Sequence, residues 1–115
     1  MSLNDLEQKR TERAVERFMN KRRPPPHIRP KLDLGYRIEN QSLVLYEIRP
    51  RWNEPEEILE LPFAKTTYVR SRNIWKIFWQ RADLKWHAYQ PCSEVDKVEE
   101  FLEIVDADVY ACFFG

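Results

Sequence analysis

The sequence predicts an α+β protein with four parts in order. These are an N-terminal helix, a five-stranded antiparallel meander, a C-terminal helix packed on the sheet, and a short final apolar strand or tail. Three observations predict it. The stretch from Leu3 to Arg23 holds no Gly or Pro and ends abruptly at Pro24-Pro25-Pro26. From Leu34 to Tyr89 apolar residues recur with period two, broken only by short turn-forming runs. After Pro91 a helical 3/4 spacing returns.

The first helix is built from strong helix formers, with Asp5 and Glu7 near its start and Lys21, Arg22 and Arg23 at its end, which suits the helix dipole. Its apolar stripe (Leu3, Leu6, Ala14, Val15, Phe18, Met19) is narrow. "PPPHIRP" cannot be helical and is expected to run as an extended, polyproline-like connector. In "LGYRI" the residues Leu34, Tyr36 and Ile38 share a face. In "LVLYEI" Val44, Tyr46 and Ile48 take one face and Leu43 and Leu45 the other, with "ENQS" as the intervening turn. "RPRWNEPEE" reads as a loop. "ILELPFAKTTYV" reads as a strand whose Pro62 belongs at an edge or a bulge. "RSRN" and "RADL" then bracket the strand "IWKIFWQ", and "KWHAYQ" closes the meander. For the last helix, residues 93–105, Ser93 is the expected N-cap with Asp96 three positions on. Val95, Val98, Leu102 and Val105 form its core-facing stripe.

At 115 residues the chain is expected to form one domain, 1–115. Within it, 1–23 is a basic helix, 24–32 a Pro-rich connector and 33–115 the sheet-plus-helix body. Apolar residues make up 43% and charged residues 33%, an ordinary balance for a globular chain. Net charge is zero but unevenly spread. Residues 1–32 carry nine Lys/Arg against four Asp/Glu, and residues 33–115 carry ten against fifteen. A basic arm on an acidic body suggests self-docking, within one chain or between two. Neutrality overall argues against a dedicated DNA-binder. No apolar run approaches the ~18 residues of a membrane span, so no membrane association is expected. Cys92 and Cys112 read as reduced thiols of a cytoplasmic protein, and two histidines and two distant cysteines give no metal-ligand pattern. No cofactor motif is present.

"EIRPRW", "VRSRNIWKIFWQRADLKWHAYQP" and the terminal "CFFG" carry a resemblance to a small bacterial family catalogued as a domain of unknown function, number 3024. The resemblance covers most of the chain after Leu34. It implies a short, stand-alone, cytoplasmic bacterial protein, and brings no activity, cofactor or site residue with it.

Three functional readings compete. One helix of 13 residues can hardly cover both faces of five strands, so uncovered aromatics should meet the N-terminal helix or a partner. That favours a non-catalytic binding or assembly module, self-associating as a homodimer. The second reading is a single-stranded nucleic-acid binder using Arg49, Arg51, Trp52, Arg70, Arg72 and Arg81 as phosphate and stacking contacts. Alternating turns place Arg49, Arg51 and Arg81 at one end of a meander and Arg70 and Arg72 at the other, which divides that patch. The third is a small enzyme using Asp83 and His87 as a proton-transfer pair, with Arg81 holding an anion.

Overall fold

The structure, a computed structural model, describes residues 2–114. The order of elements is α1 (Asp5–Arg22), β1 (Asp33–Glu39), β2 (Ser42–Arg51), β3 (Glu54–Val69), β4 (Ile74–Gln80), β5 (Trp86–Ala88), β6 (Glu94–Val95) and α2 (Val98–Ala107). Strands β1 to β5 pair in chain order, every pair antiparallel, and the short β6 also pairs with β4. The fold is α+β, with a helix at each end of the meander.

Register decides which side chains share a face, because residues directly opposite in an antiparallel pair point the same way. Tyr36, Leu45, Ala64 and Trp79 form one cross-strand row, and Ile38, Leu43, Thr66 and Ile77 the next. Both rows point towards the helices. Leu43, Leu45, Ala64 and Ile77 join Val15 and Phe18 of α1 and Phe101, Leu102 and Val105 of α2 in one buried cluster. Thr66, fully buried among them, satisfies its hydroxyl on the Lys76 carbonyl at 2.8 Å.

Helix α1 starts at a capping box: Asn4 Oδ1 accepts from the Glu7 amide, and Glu7 Oε1 accepts from the Asn4 amide. Its buried face is Leu3, Thr11, Ala14, Val15, Phe18 and Met19, whereas Leu6 is 81% exposed. Thr11 takes the inward place that Leu6 was expected to share, its hydroxyl donating to the Glu7 carbonyl at 2.8 Å. Ion pairs then fasten α1 beside α2: Arg10 to Glu99 at 3.3 Å, and Lys21 and Arg22 to Asp106 at 2.6 and 3.5 Å. The basic arm therefore docks on its own body.

Three sequence expectations are corrected. "PPPHIRP" is coiled into successive turns over 26–31, held by the Ile28 amide on the Pro25 carbonyl and by Lys31 and Leu32 on Ile28. "RPRWNEPEE" is not a loop. It is the end of a long hairpin whose tip is Trp52-Asn53, with Arg51 opposite Glu54. Helix α2 begins at Val98 rather than 93. The Ser93 carbonyl instead accepts from the Ile77 amide, and Glu94 and Val95 pair with Lys76 and Trp75. Strand β5 covers only half of the β4 edge, and satisfying the remaining backbone groups outweighs a local capping signal. Of the two endings expected, strand or tail, residues 108–114 form the tail. Asp108, in the left-handed region at φ 42°, accepts from the Phe113 and Phe114 amides and pins the tail with Phe113 buried against Tyr89. Pro62 sits as expected at a bulge, where Phe63 is the extra residue between Ala64 (opposite Leu45) and Pro62 (opposite Tyr46).

The end of α1 is tied to the start of the sheet by Arg23 and Asp33, two parallel hydrogen bonds of 2.7 Å, with Asp33 also accepting from the Leu34 amide. The Arg23 guanidinium holds the Asp33 carboxyl below its usual value of 3.8, against the opposing effect of burial. A depressed folded-state value means stability that is present above pH 3.8 and lost as pH falls through the lower folded value. Asp33→Ala should therefore destabilise by roughly 1.5–3 kcal/mol at neutral pH, the range for hydrogen bonds to charged groups. Urea denaturation across an acid series checks this: the gap to the parent should close in acid, and a gap independent of pH would contradict the pairing.

Candidate functional site

Of the residues expected to form a site, Asp83 and His87 do meet. His87 Nε2 lies 2.9 Å from Asp83 Oδ2, and the other Asp83 oxygen accepts from the Lys85 amide two residues on. That amide, and then His87, keep the Asp83 carboxyl below 3.8. The pair lies on the open β4–β5 turn, with side chains 47% and 35% exposed. Arg81 does not join them. Its guanidinium stacks 5.5 Å over the Trp79 ring. An Asx turn closed by a histidine accounts for all of these contacts.

The arginines expected to bind nucleic acid are dispersed. Arg49 pairs with Glu47 and Arg51 with Glu57, both at 2.9 Å, on the long hairpin beside the exposed Trp52. Arg70 and Arg72 stand at the β3–β4 turn, the opposite end of β3. Arg70 holds the Glu7 carboxylate at 2.6 Å and the Ser2 carbonyl at 3.2 Å, so it fixes the first turn of α1, and Arg72 pairs with Glu94 at 3.0 Å. The Arg70 guanidinium, followed by the Asn4 amide, lowers the Glu7 carboxyl below 4.5. Four of the five arginines thus face carboxylates of their own chain.

What the fold does gather is a different set. Both helices lie on one face, so the other carries only its own side chains. Its central row is Arg37, Val44, Lys65, Phe78 and Ala88, one residue from each of five strands. Gly35, Tyr46 and Pro62 lie beside it, and Gln80 pairs with Trp86 at the far edge. The Lys65 ammonium sits 5.1 Å from the Phe78 ring centre and 4.9 Å from that of Trp86. The Arg37 guanidinium covers the Tyr46 ring at 5.4 Å. That ring lies flat over Gly35, where a Cβ would approach its Cε2 to 2.6 Å, so glycine makes the close approach possible.

Lys65 is the singular group of this face. Among the described residues no carboxylate pairs with it. The surrounding side chains desolvate it and lower its value below 10.5, with distant Glu39 acting in the opposite sense. Ring faces attract an ammonium by about 0.5–1 kcal/mol at exposed sites, which holds Lys65 in place without satisfying its donors. Arg37 is more fully engaged, with Glu39 and Glu60 beside it, though its buried Nε donates no aligned hydrogen bond.

A separate concavity of about 490 Å³ lies between α2 and residues 89–92, lined by Tyr89, Cys92, Val95, Ile104, Val109 and Tyr110. Its thiol, Cys92, donates to the Glu94 carbonyl at 3.4 Å, and the carboxylates of Glu100 and Glu103 also line the concavity. Among the described residues no three His, Cys, Asp or Glu side chains converge as metal ligands, and no helix is long and apolar enough to cross a membrane.

Fold and surface together define a small α+β sheet protein, one face packed under two helices and the other open, aromatic and cationic. The chain belongs to the family described as a domain of unknown function (DUF3024), whose model matches residues 3–115. No curated protein and no solved structure matches it.

The open face escaped sequence reading in part. Alternation places Val44 and Tyr46 on one side of a strand. Aligning Arg37, Lys65 and Phe78 with them requires the two-residue turn at Asn40-Gln41 and the bulge at Phe63. A lysine inside the apolar strand "FAKTTYV" was the available signal.

A lysine desolvated in the fold binds its proton less tightly there than in the unfolded chain, so its burden on stability is present at neutral pH and lifts as pH rises towards 10.5. Lys65→Met, which keeps contact with both rings, should melt at or above the parent temperature at pH 7, and the difference should narrow in alkali. A clear loss of Tm at pH 7 would show that Lys65 serves stability instead.

Proposed function

We propose that this protein is a non-catalytic, cytoplasmic binding module whose working surface is the open face of the sheet. The partner is a protein segment that lays apolar side chains on the half-buried Tyr46, Phe78 and Trp86 and brings a carboxylate to Lys65. Lys65 carries the reading: a desolvated cation with free donors, held between two rings, contributes little to the fold and is poised to meet an anion. Interface cores are enriched in aromatic residues and Arg, and Tyr46, Phe78, Trp86 and Arg37 supply that composition here. Glu39 and Glu60 beside Arg37 suit a partner of mixed charge better than a polyanion.

Single-stranded nucleic acid is the second reading, favoured by the same arrangement of one ammonium with two ring faces. The Asp83–His87 contact motivates the enzyme reading, but its exposed turn offers no surface to exclude water from a reacting group.

A randomised peptide library selected on the parent protein checks the proposal. Enriched peptides should combine an acidic residue with aromatic or aliphatic neighbours. Their Kd should rise by about tenfold or more, equivalent to ~1.4 kcal/mol, on Lys65→Met and on Trp86→Ala. Peptides indifferent to both substitutions would contradict it. Oligonucleotide binding that weakens steeply with salt and is lost with Lys65 would transfer the surface to the second reading.

A further inference from the structure

We infer that the projecting end of the β2–β3 hairpin docks on the outer, basic face of α1 in a second copy of this chain. The hairpin outruns its neighbours: β1 pairs with β2 only as far as Ile48, and β4 pairs with β3 only from Ala64 onward. Residues 49–59 are thus a two-stranded ribbon, an arrangement marginal in water without a surface to lie on. Its large apolar side chains face solvent, Trp52 at 91% and Ile58 at 57% exposure, with Leu61 at 40% at its base. Pro50, Pro55 and Pro62 remove amide donors along both edges, which discourages a further strand from adding there. A partner must therefore take the side chains.

Charge names the partner. Among the described residues Glu54 and Glu56 form no ion pair, while Glu57 is held by Arg51. On α1 the cations facing α2 and β1 (Arg10, Lys21, Arg22 and the C-capping Arg23) are matched by acids, but Lys9, Arg13 and Arg17, all exposed, have no ion-pair partner among the described residues. They recur every four residues, so they form one stripe. The exposed Leu6 lies at its start, and a concavity of about 390 Å³ lies between Leu6 and Arg17. From Lys9 to Arg17 the helix rises ~12 Å, and from Glu54 to Ile58 a strand spans ~13 Å. Glu54 and Glu56 on the ribbon thus match the cations of the helix in sign, with Ile58 and Leu6 as the apolar members of the two surfaces.

The two halves do not meet within one molecule. Helix α1 ends where Arg23 bonds Asp33, opposite Ile48, and Arg17 lies ~9 Å before that end. Glu54, opposite Arg51, lies ~10 Å beyond Ile48. None of Arg13, Arg17, Glu54 and Glu56 belongs to the surface around Lys65, so loss of this contact is read separately from loss of binding there.

Sedimentation velocity at tens of micromolar and low salt tests the contact with two exposed-residue variants, Arg13→Glu with Arg17→Glu, and Glu54→Lys with Glu56→Lys. The parent should sediment as a dimer and each variant alone as a 14.0 kDa monomer, with unchanged circular dichroism. An equimolar mixture of the two should reassociate, since both arm-to-helix contacts are again between opposite charges. A monomeric parent, variants that dimerise like the parent, or a mixture that stays monomeric would each overturn the inference. A monomeric parent that retains a labelled oligonucleotide, lost in the Arg13/Arg17 variant, would instead assign the stripe to nucleic acid.

Discussion

Packing of both helices against the same face of the sheet is the constraint on which the rest of this structure depends. Neither helix is sufficient alone. The stripe of α1 is narrow, and α2 is ten residues long. Side by side, their Val15, Phe18, Phe101, Leu102 and Val105 cover Leu43, Leu45, Ala64 and Ile77. Ala64 and Thr66, small and fully buried, keep the middle of the sheet low enough for the helices to approach. Arg10, Lys21 and Arg22 fasten the outer rims, and at Asp106 two cations share one acid. Exposed pairs of this kind are individually worth little, about 0–1 kcal/mol. Their role is to fix where α1 lies, while apolar burial supplies the stabilisation.

The division of charge along the sequence follows from this arrangement. Four of the nine cations of residues 1–32 are spent on the chain itself, at Glu99, Asp106 and Asp33. Arg70 and Arg72, which in the sequence look like ligands for phosphate, close the opposite end of the molecule on Glu7 and Glu94. What escapes pairing is informative for that reason. Lys65 on the open face and the Lys9, Arg13 and Arg17 stripe on α1 are among the cations that form no ion pair with the described residues.

Period-two alternation made β1, β2 and β4 legible in the sequence, because each has one buried face and a one-residue slip would expose it. Val98, Leu102 and Val105 of α2 were legible for the same reason, but Val95 belongs to β6 and the fully buried Phe101 was missed. Its start was not, since Ser93 and Asp96 advertise a cap locally, and only the sheet shows that the β4 edge needs Ser93, Glu94 and Val95 more. The hairpin end was hidden by its prolines, which mimic loop composition although bulges accommodate them. The open face was half legible: the aromatics were visible as strand residues, but their grouping around Lys65 is a consequence of register, which no single strand encodes.

Thiol labelling of adjacent positions measures the one-sided packing most directly. In a protein with Cys92 and Cys112 replaced by serine, a cysteine is placed at position 66 or at position 67, neighbours on β3 that point to opposite faces. The account predicts that the thiol of Thr66→Cys, beneath the helices, reacts with a disulfide reagent only through unfolding, whereas that of Thr67→Cys reacts in the native state. Equal protection at both positions in the monomer, or protection of 67 alone, would contradict a sheet covered on one face and open on the other.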